Sequence, residues 1–162
     1  MRMYRCTLMP KPRKLSISQS LLALILIAIT TLSYPLTAAE INAGNWRIVN
    51  YWSEWCAPCR IEIPMFNDLS ARLANSNVII VGVNFDEDPR ELTLEIANEM
   101  GIEFTVLRQE TIDLLGMKPP DVLPTTYLLS PSNEVMAKLI GMQSEQDILE
   151  ALSLQGLTVL TD

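Results

Sequence analysis

Trp55-Cys56-Ala57-Pro58-Cys59 lies between an apolar run that ends at Trp52 and a helical pattern that begins at Cys59. Two cysteines at this spacing, placed where a strand passes into a helix, can form a disulfide and reopen it without unfolding the chain. A bridge that closes so short a loop constrains the unfolded chain little, so stabilisation is a poor reason for the pair. The spacing therefore indicates redox chemistry at Cys56 and Cys59.

The helix after the first cysteine carries an acid on its apolar face. Its positions 59, 62, 66, 69 and 73 share one side and hold Cys59, Glu62, Phe66, Leu69 and Leu73. We therefore expect Glu62 to be buried one turn beneath Cys59. Cys56, ahead of the helix, is expected to expose its sulfur at the helix N-terminus, which stabilises negative charge and lowers the pKa of a thiol. Pro64 is expected to kink this helix.

Residues 1–39 have the pattern of a secretory signal peptide. Residues 1–14 contain five basic side chains and no acid, residues 21–29 are all apolar, and Thr37-Ala38-Ala39 is a small-residue stretch suited to cleavage. The alternative is an uncleaved membrane anchor, although nine apolar residues fall short of the roughly 20 that span a bilayer. Both interpretations place residues 40–162 in the periplasm or elsewhere outside the cytoplasm.

Residues 40–162 are predicted to form one domain, because 123 residues suffice for a single core. All 19 acids but only 7 of the 12 lysines and arginines lie in this part, which gives it a formal net charge of −12. A nucleic-acid binder needs a basic face, so that class is excluded. We expect the domain to be a monomer.

A Cys-x-x-Cys pair also occurs in zinc sites, which need two further Cys or His ligands. The chain has no histidine, and no cysteine follows Cys59. We therefore predict no metal. Because no Gly-rich dinucleotide fingerprint is present either, we predict no cofactor.

The hydrophobic pattern of residues 40–162 predicts an α/β fold with a mixed sheet flanked by helices. Expected strands cover 47–52, 78–85, 104–107, 125–129 and 134–140; expected helices cover 59–73, 111–115, 145–154 and a stretch from the acidic turn 86–89 to Met100. Leu92, Ile96 and Met100 are expected to face inward in that stretch, and Gly101 to stop it.

Leu123-Pro124-Thr125-Thr126 begins one of the expected strands. A proline there is commonly an edge or turn feature. Together with Trp-Cys-x-Pro-Cys, however, it makes the chain resemble the thioredoxin-fold proteins over roughly residues 46–155. The resemblance implies that Pro124 is cis and faces the disulfide, and that Leu123 and Trp55 contribute to substrate binding.

Within that fold the chain is similar to the TlpA/ResA/DsbE-like thiol-disulfide oxidoreductases. Cys59-Arg60-Ile61-Glu62-Ile63-Pro64 matches their Cys-x-x-Glu-x-Pro pattern, and 68 residues from Cys56 to Pro124 leave room for an extra helix and strand before Pro124. Asn50 stands where thioredoxin has a buried aspartate. Since Asn50 cannot ionise, Glu62 is the expected proton acceptor for Cys59. The alternative is an ordinary first-turn acid that favours the helix dipole, but the place of Glu62 on the apolar face favours the functional interpretation.

The resemblance implies an exported protein-disulfide reductase. Its substrate would be a disulfide-containing exported protein, including apocytochrome c during cytochrome c maturation, and its electrons would come from a membrane thiol protein. Ala57-Pro58 offers no positive charge to stabilise a thiolate, which favours a reductant over an oxidant. The alternatives are a general periplasmic disulfide reductase or isomerase, and a non-enzymatic thioredoxin-fold binding module.

Overall fold

The computed structural model describes residues 44–157, so the predicted signal peptide lies outside the described residues. The strands are β1 (Trp46–Trp52), β2 (Val78–Asn84), β3 (Thr105–Val106), β4 (Thr125–Leu129) and β5 (Val135–Ile140). The helices are α1 (Ala57–Arg72), α2 (Arg90–Glu99), α3 (Gln109–Leu114) and α4 (Glu145–Ser153). Between residues 44 and 157, no helix is long and apolar enough to cross a membrane.

The strands form one mixed sheet in the order β3-β2-β1-β4-β5. β2 runs parallel to β1 and β3, while β4 runs antiparallel to both β1 and β5. The predicted α/β class and mixed sheet are confirmed. The extra helix and strand predicted ahead of Pro124 are also confirmed, as α2 and β3.

β1 is the central strand of the sheet, and it contributes apolar side chains to both faces. Ile48 packs on one face with Phe66 and Leu69 of α1, and Val49 packs on the other with Leu129 and Ile112. A third cluster gathers at the carboxyl end of β1, where Trp52 packs with Cys56, Cys59 and residues of α1, α2 and β3. The cysteine pair is therefore held against the core.

Local sequence explains where several helices begin and end. Gly101 has a φ of +74° and follows Met100, the C-cap residue of α2, as the predicted helix stop requires. Ser144 and Asp147 form a reciprocal capping box at the start of α4. α1 continues past Pro64 to Arg72.

One packing prediction is wrong. Leu92 is 42% exposed, whereas Thr93 is buried beside Ile96 and Ala97. Thr93 can be buried because its hydroxyl donates a hydrogen bond to the Asp88 carbonyl (2.9 Å). This local bond is not apparent from apolar spacing, which treats threonine as a surface residue.

Gly82 of β2 lies directly beneath the third cluster. A Cβ at this position would come within 2.8 Å of Trp52 Nε1 and 2.9 Å of the Phe104 ring. The absence of a side chain at Gly82 therefore lets Trp52 and Phe104 approach β2 closely.

Candidate active site

Cys56 and Cys59 form a disulfide at the N-terminus of α1, with their Cα atoms 5.3 Å apart. Cys56 is the N-cap residue of the helix, and its Sγ accepts a hydrogen bond from the Cys59 backbone N–H (3.3 Å). Pro58 in the first turn lacks an N–H that would need a partner. When the bridge opens, the Cys56 sulfur faces the positive end of the helix, which stabilises a thiolate.

The expectation that Cys56 exposes its sulfur is wrong for this disulfide form. Cys56 is 3% exposed and Cys59 is fully buried. Ile96, Ala97 and Met100 of the α2 region belong to the same apolar cluster as both cysteines, so the insertion that carries α2 contributes to their burial. The order of exposure is as predicted, because Cys59 is the more deeply buried sulfur.

Glu62 lies on the buried face of α1, as its spacing predicted, and it is 2% exposed. Its Oε1 accepts a hydrogen bond from Asn50 Nδ2 (2.7 Å), and its Oε2 accepts one from the Gln143 backbone N–H (3.0 Å). Burial raises the pKa of Glu62 above its ordinary value of 4.5, and the bonds from Gln143 and Asn50 oppose that shift. A carboxyl group with a raised pKa one turn from Cys59 is suited to exchange a proton with it.

Asn50 comes from the middle of β1 and is fully buried. It lies opposite Thr126 in the β1–β4 pair, and its Nδ2 also donates to Thr126 Oγ1 (3.1 Å). Glu62 is thus connected to β1 and β4 through one amide group, and to the segment after β5 through Gln143.

The Leu123–Pro124 peptide bond is cis, as the family resemblance implied. Pro124 is buried, and its carbonyl accepts a hydrogen bond from the Gly141 N–H (2.9 Å). Leu123 is half-buried and packs against the apolar cluster that contains both cysteines. Leu123 takes no part in strand pairing among residues 44–157, which leaves it suited to pairing with another chain.

Trp55 is 66% exposed beside the cysteines, and Asp86 holds its ring in place. The indole Nε1 donates a hydrogen bond to Asp86 Oδ1 (3.0 Å), and the ring meets Phe85 edge to face. Asp86 Oδ2 also accepts a hydrogen bond from the Ser53 hydroxyl. Asp86 therefore connects the turn after β2 to both ends of the Ser53–Trp55 segment.

The sequence interpretation missed four residues of this site: Ser53, Asp86, Thr126 and Gln143. Asp86 could have been found, because β1 and β2 are parallel and residues that follow their carboxyl ends lie close together. Thr126 and Gln143 depend on long-range pairing with β4 and β5, for which no local pattern exists. No cluster of three or more Cys, Asp or Glu side chains in the described part of the chain could hold a metal ion.

The sheet, the cis-proline and the disulfide at a helix N-terminus define a thioredoxin-fold protein. A model of the AhpC/TSA family matches residues 29–138, and the chain belongs to this family. It is 27% identical to the thiol-disulfide oxidoreductase ResA of Bacillus anthracis over 105 residues, which are 65% of this chain and 60% of ResA. It is 28% identical to the thiol:disulfide interchange protein HelX of Rhodobacter capsulatus over 119 residues, which are 73% of this chain and 65% of HelX.

Solved structures give the same result. A protein from Chlorobium tepidum described as the thiol:disulfide interchange protein DsbE is 27% identical, with a TM-score of 0.54 over 71% of this chain and 84% of that protein. StoA from Bacillus subtilis has a TM-score of 0.56 at 23% identity over 68% of this chain and 84% of StoA, and shows the fold alone. The resemblance to the TlpA/ResA/DsbE-like proteins is confirmed. The chain spans about three fifths of the length of the ResA relatives that it matches.

Proposed function

We propose that the protein is a thiol-disulfide oxidoreductase that reduces disulfides in other proteins. The observation that carries this proposal is the Cys56–Cys59 disulfide at the N-terminus of α1, with the buried Glu62 one turn further along the same face. Two relatives with named activities, ResA and HelX, are thiol-disulfide proteins, which supports the same chemistry.

Reduction proceeds in two exchange steps. The Cys56 thiolate attacks one sulfur of the substrate disulfide, and the other substrate sulfur leaves as a thiolate. Cys59 then loses its proton to Glu62 and attacks the Cys56 sulfur. This second attack breaks the bond between Cys56 and the substrate, closes the Cys56–Cys59 disulfide and releases the reduced substrate, which has gained two electrons.

The surroundings of the cysteines support reduction as the direction. A strong oxidant stabilises its thiolate with nearby positive charge, and Ala57-Pro58 supplies none. The charged form of Glu62 would further destabilise a thiolate at Cys59. Both effects favour the disulfide form of the protein and so favour electron donation to a substrate.

We place substrate recognition at Trp55, Leu123 and Pro124. Leu123 has no strand partner within residues 44–157, so an extended substrate segment can align beside it. Trp55 offers an exposed ring next to Cys56, and the side chains of Val122, Ile140 and Met142 around Pro124 are also exposed and apolar. The surface suits a partly unfolded segment with apolar residues near its cysteines.

We further propose that the protein works outside the cytoplasm after the signal peptide of residues 1–39 has directed its export. Apocytochrome c is the specific substrate we propose, because the resemblance to the TlpA/ResA/DsbE-like proteins implies it. HelX and DsbE, which are thiol:disulfide interchange proteins of similar sequence, support the exchange chemistry. A membrane thiol protein would return Cys56 and Cys59 to the dithiol form.

Trapping identifies the substrate. In the host, Cys59→Ala leaves Cys56 able to attack but removes the group that releases the product, so mixed disulfides accumulate on Cys56. The captured proteins are compared with those from Cys56→Ser/Cys59→Ala, which has no thiol at the site. Apocytochrome c or its maturation proteins support the specific substrate; many unrelated exported proteins indicate a general reductase. If the two variants capture the same background, exchange chemistry is contradicted.

Asp86→Ala is expected to weaken the binding of protein substrates much more than the reaction with small disulfides. Without the carboxylate, Trp55 and Ser53 lose their shared hydrogen-bond acceptor, so KM for a protein disulfide should rise about five- to tenfold (about 1 kcal/mol of lost positioning). The rate with a small aromatic disulfide should change less than twofold (roughly the level of a surface substitution). Glu91→Ala removes the same charge from an exposed position and serves as the control. Equal losses for both substrates would contradict this role.

A further inference from the structure

Both oxygens of Glu62 accept hydrogen bonds from N–H groups, one from Asn50 Nδ2 and one from the Gln143 backbone. This arrangement suits a carboxylate. A protonated carboxyl group needs an acceptor for its O–H, and neither donor can provide one in its present orientation. The backbone N–H of Gln143 can never become an acceptor. If Glu62 takes a proton from Cys59, Asn50 must therefore be the partner that changes from hydrogen-bond donor to acceptor.

Asn50 has the spare acceptor that this change requires. Its Oδ1 is buried and has no hydrogen-bond partner within the described residues. A rotation of the amide by half a turn would exchange the positions of Oδ1 and Nδ2, so that Oδ1 faces Glu62. The other partner, Thr126, tolerates either orientation because its hydroxyl group both donates and accepts.

We propose that Asn50 is a positioning residue whose side-chain amide rotates with each proton transfer to and from Glu62. It donates from Nδ2 to the carboxylate, and it accepts through Oδ1 from the protonated acid. This inference rests on the proposed function, since the proton comes from Cys59 in the second exchange step.

Asparagine is the side chain that fits this role at position 50. An aspartate there would present a second carboxylate 2.7 Å from Glu62, and two such groups would share one proton. A leucine would neither donate nor accept. Within residues 44–157, burial raises the pKa of Glu62, and the hydrogen bonds from the Gln143 backbone and from Asn50 lower it. Thr126 is uncharged and bonds to Asn50 rather than to Glu62.

The test measures the second exchange step directly. A mixed disulfide between Cys56 and a peptide is formed, and release of the peptide is followed from pH 5 to pH 10. With Asn50→Asp the pH–rate profile should move to higher pH. The rate of peptide release at pH 7 should then fall about tenfold for each pH unit by which the profile moves. Asn98→Asp adds the same charge at an exposed position of α2 and should leave the profile in place. An unchanged Asn50→Asp profile overturns the proposal.

A second measurement uses the unaltered protein and so does not depend on how Asn50→Asp folds. The side-chain amide resonances of Asn50 and the carboxyl carbon of Glu62 are followed by NMR across the same pH range. The two sets should titrate together, with the amide proton that is bonded to Glu62 losing its downfield shift as Glu62 protonates. If the Asn50 resonances do not change as Glu62 titrates, the proposal is overturned. If the protein exchanges no disulfide at all, the proposed function fails, while this measurement still decides the role of Asn50.

Discussion

Cys56→Ser will abolish disulfide reduction and the formation of mixed disulfides. The serine hydroxyl keeps the position of the N-cap group at the start of α1, yet oxygen cannot take the place of sulfur in thiol-disulfide exchange. The rate of insulin reduction in the presence of dithiothreitol should fall to the rate of dithiothreitol alone. Mass spectrometry should detect no adduct with a peptide disulfide.

Cys59→Ser is the matched control for this result, because it opens the same bridge. Both variants should lose about 2 kcal/mol of stability or less, since the bridge closes a very short loop. Cys59→Ser should still form a stable adduct with the peptide through Cys56. If Cys56→Ser forms an adduct or still reduces the substrate, Cys59 must be the attacking nucleophile, which would contradict the assigned order of attack.

Glu62→Gln will slow the second exchange step about a hundredfold at neutral pH, which is the usual loss when a general base is removed. Glutamine keeps the size of the side chain but cannot accept the Cys59 proton. Release of a peptide from the Cys56 mixed disulfide measures the step. The difference should shrink in alkaline solution, because hydroxide can then take the Cys59 proton without help from Glu62.

The control for the Glu62 prediction is Glu54→Gln. It makes the same substitution at an exposed glutamate that precedes Cys56 by two residues. It should leave the second exchange step within about twofold of the unaltered protein (a surface substitution). Equal slowing by both variants would show that general loss of negative charge, rather than proton transfer at Glu62, causes the effect.

The same residue makes stability depend on pH. Because burial raises the pKa of Glu62 in the folded protein, its contribution is fully present below about pH 4.5 and is lost as pH rises through the raised pKa. The loss is about 1.4 kcal/mol for each unit between the folded and unfolded pKa. Denaturant unfolding of the disulfide form should therefore show Glu62→Gln gaining stability relative to the unaltered protein as pH rises.

Most of the fold could be predicted because its signals are local. The apolar run that became β2 is long and covered on both faces, and the 3.6-residue period placed Glu62 correctly on the buried side of α1. Gly101 marked the end of α2 because a positive φ suits glycine. Cys56 and Cys59 could be identified from their spacing, and Pro124 from the resemblance to the thioredoxin-fold proteins.

What could not be predicted depends on contacts between distant segments. The burial of Cys56 arises in part from α2, which is inserted some 35 residues later in the chain. Thr126 reaches Asn50 through the β1–β4 register, and Gln143 reaches Glu62 across 81 residues. Asp86 lay in an acidic turn that the sequence suggested only as a helix start. Thr126 and Gln143 complete the site, and a single sequence does not reveal them.

The central claim is that Cys56 and Cys59 pass two electrons to a substrate disulfide. The most direct test mixes the reduced protein with an equal amount of a disulfide-linked peptide and analyses both by mass spectrometry after acid quenching. Each protein molecule should lose two hydrogens and close the Cys56–Cys59 bridge as one peptide disulfide is reduced, through a transient Cys56 adduct. A protein that keeps both thiols while the peptide disulfide stays intact would contradict it.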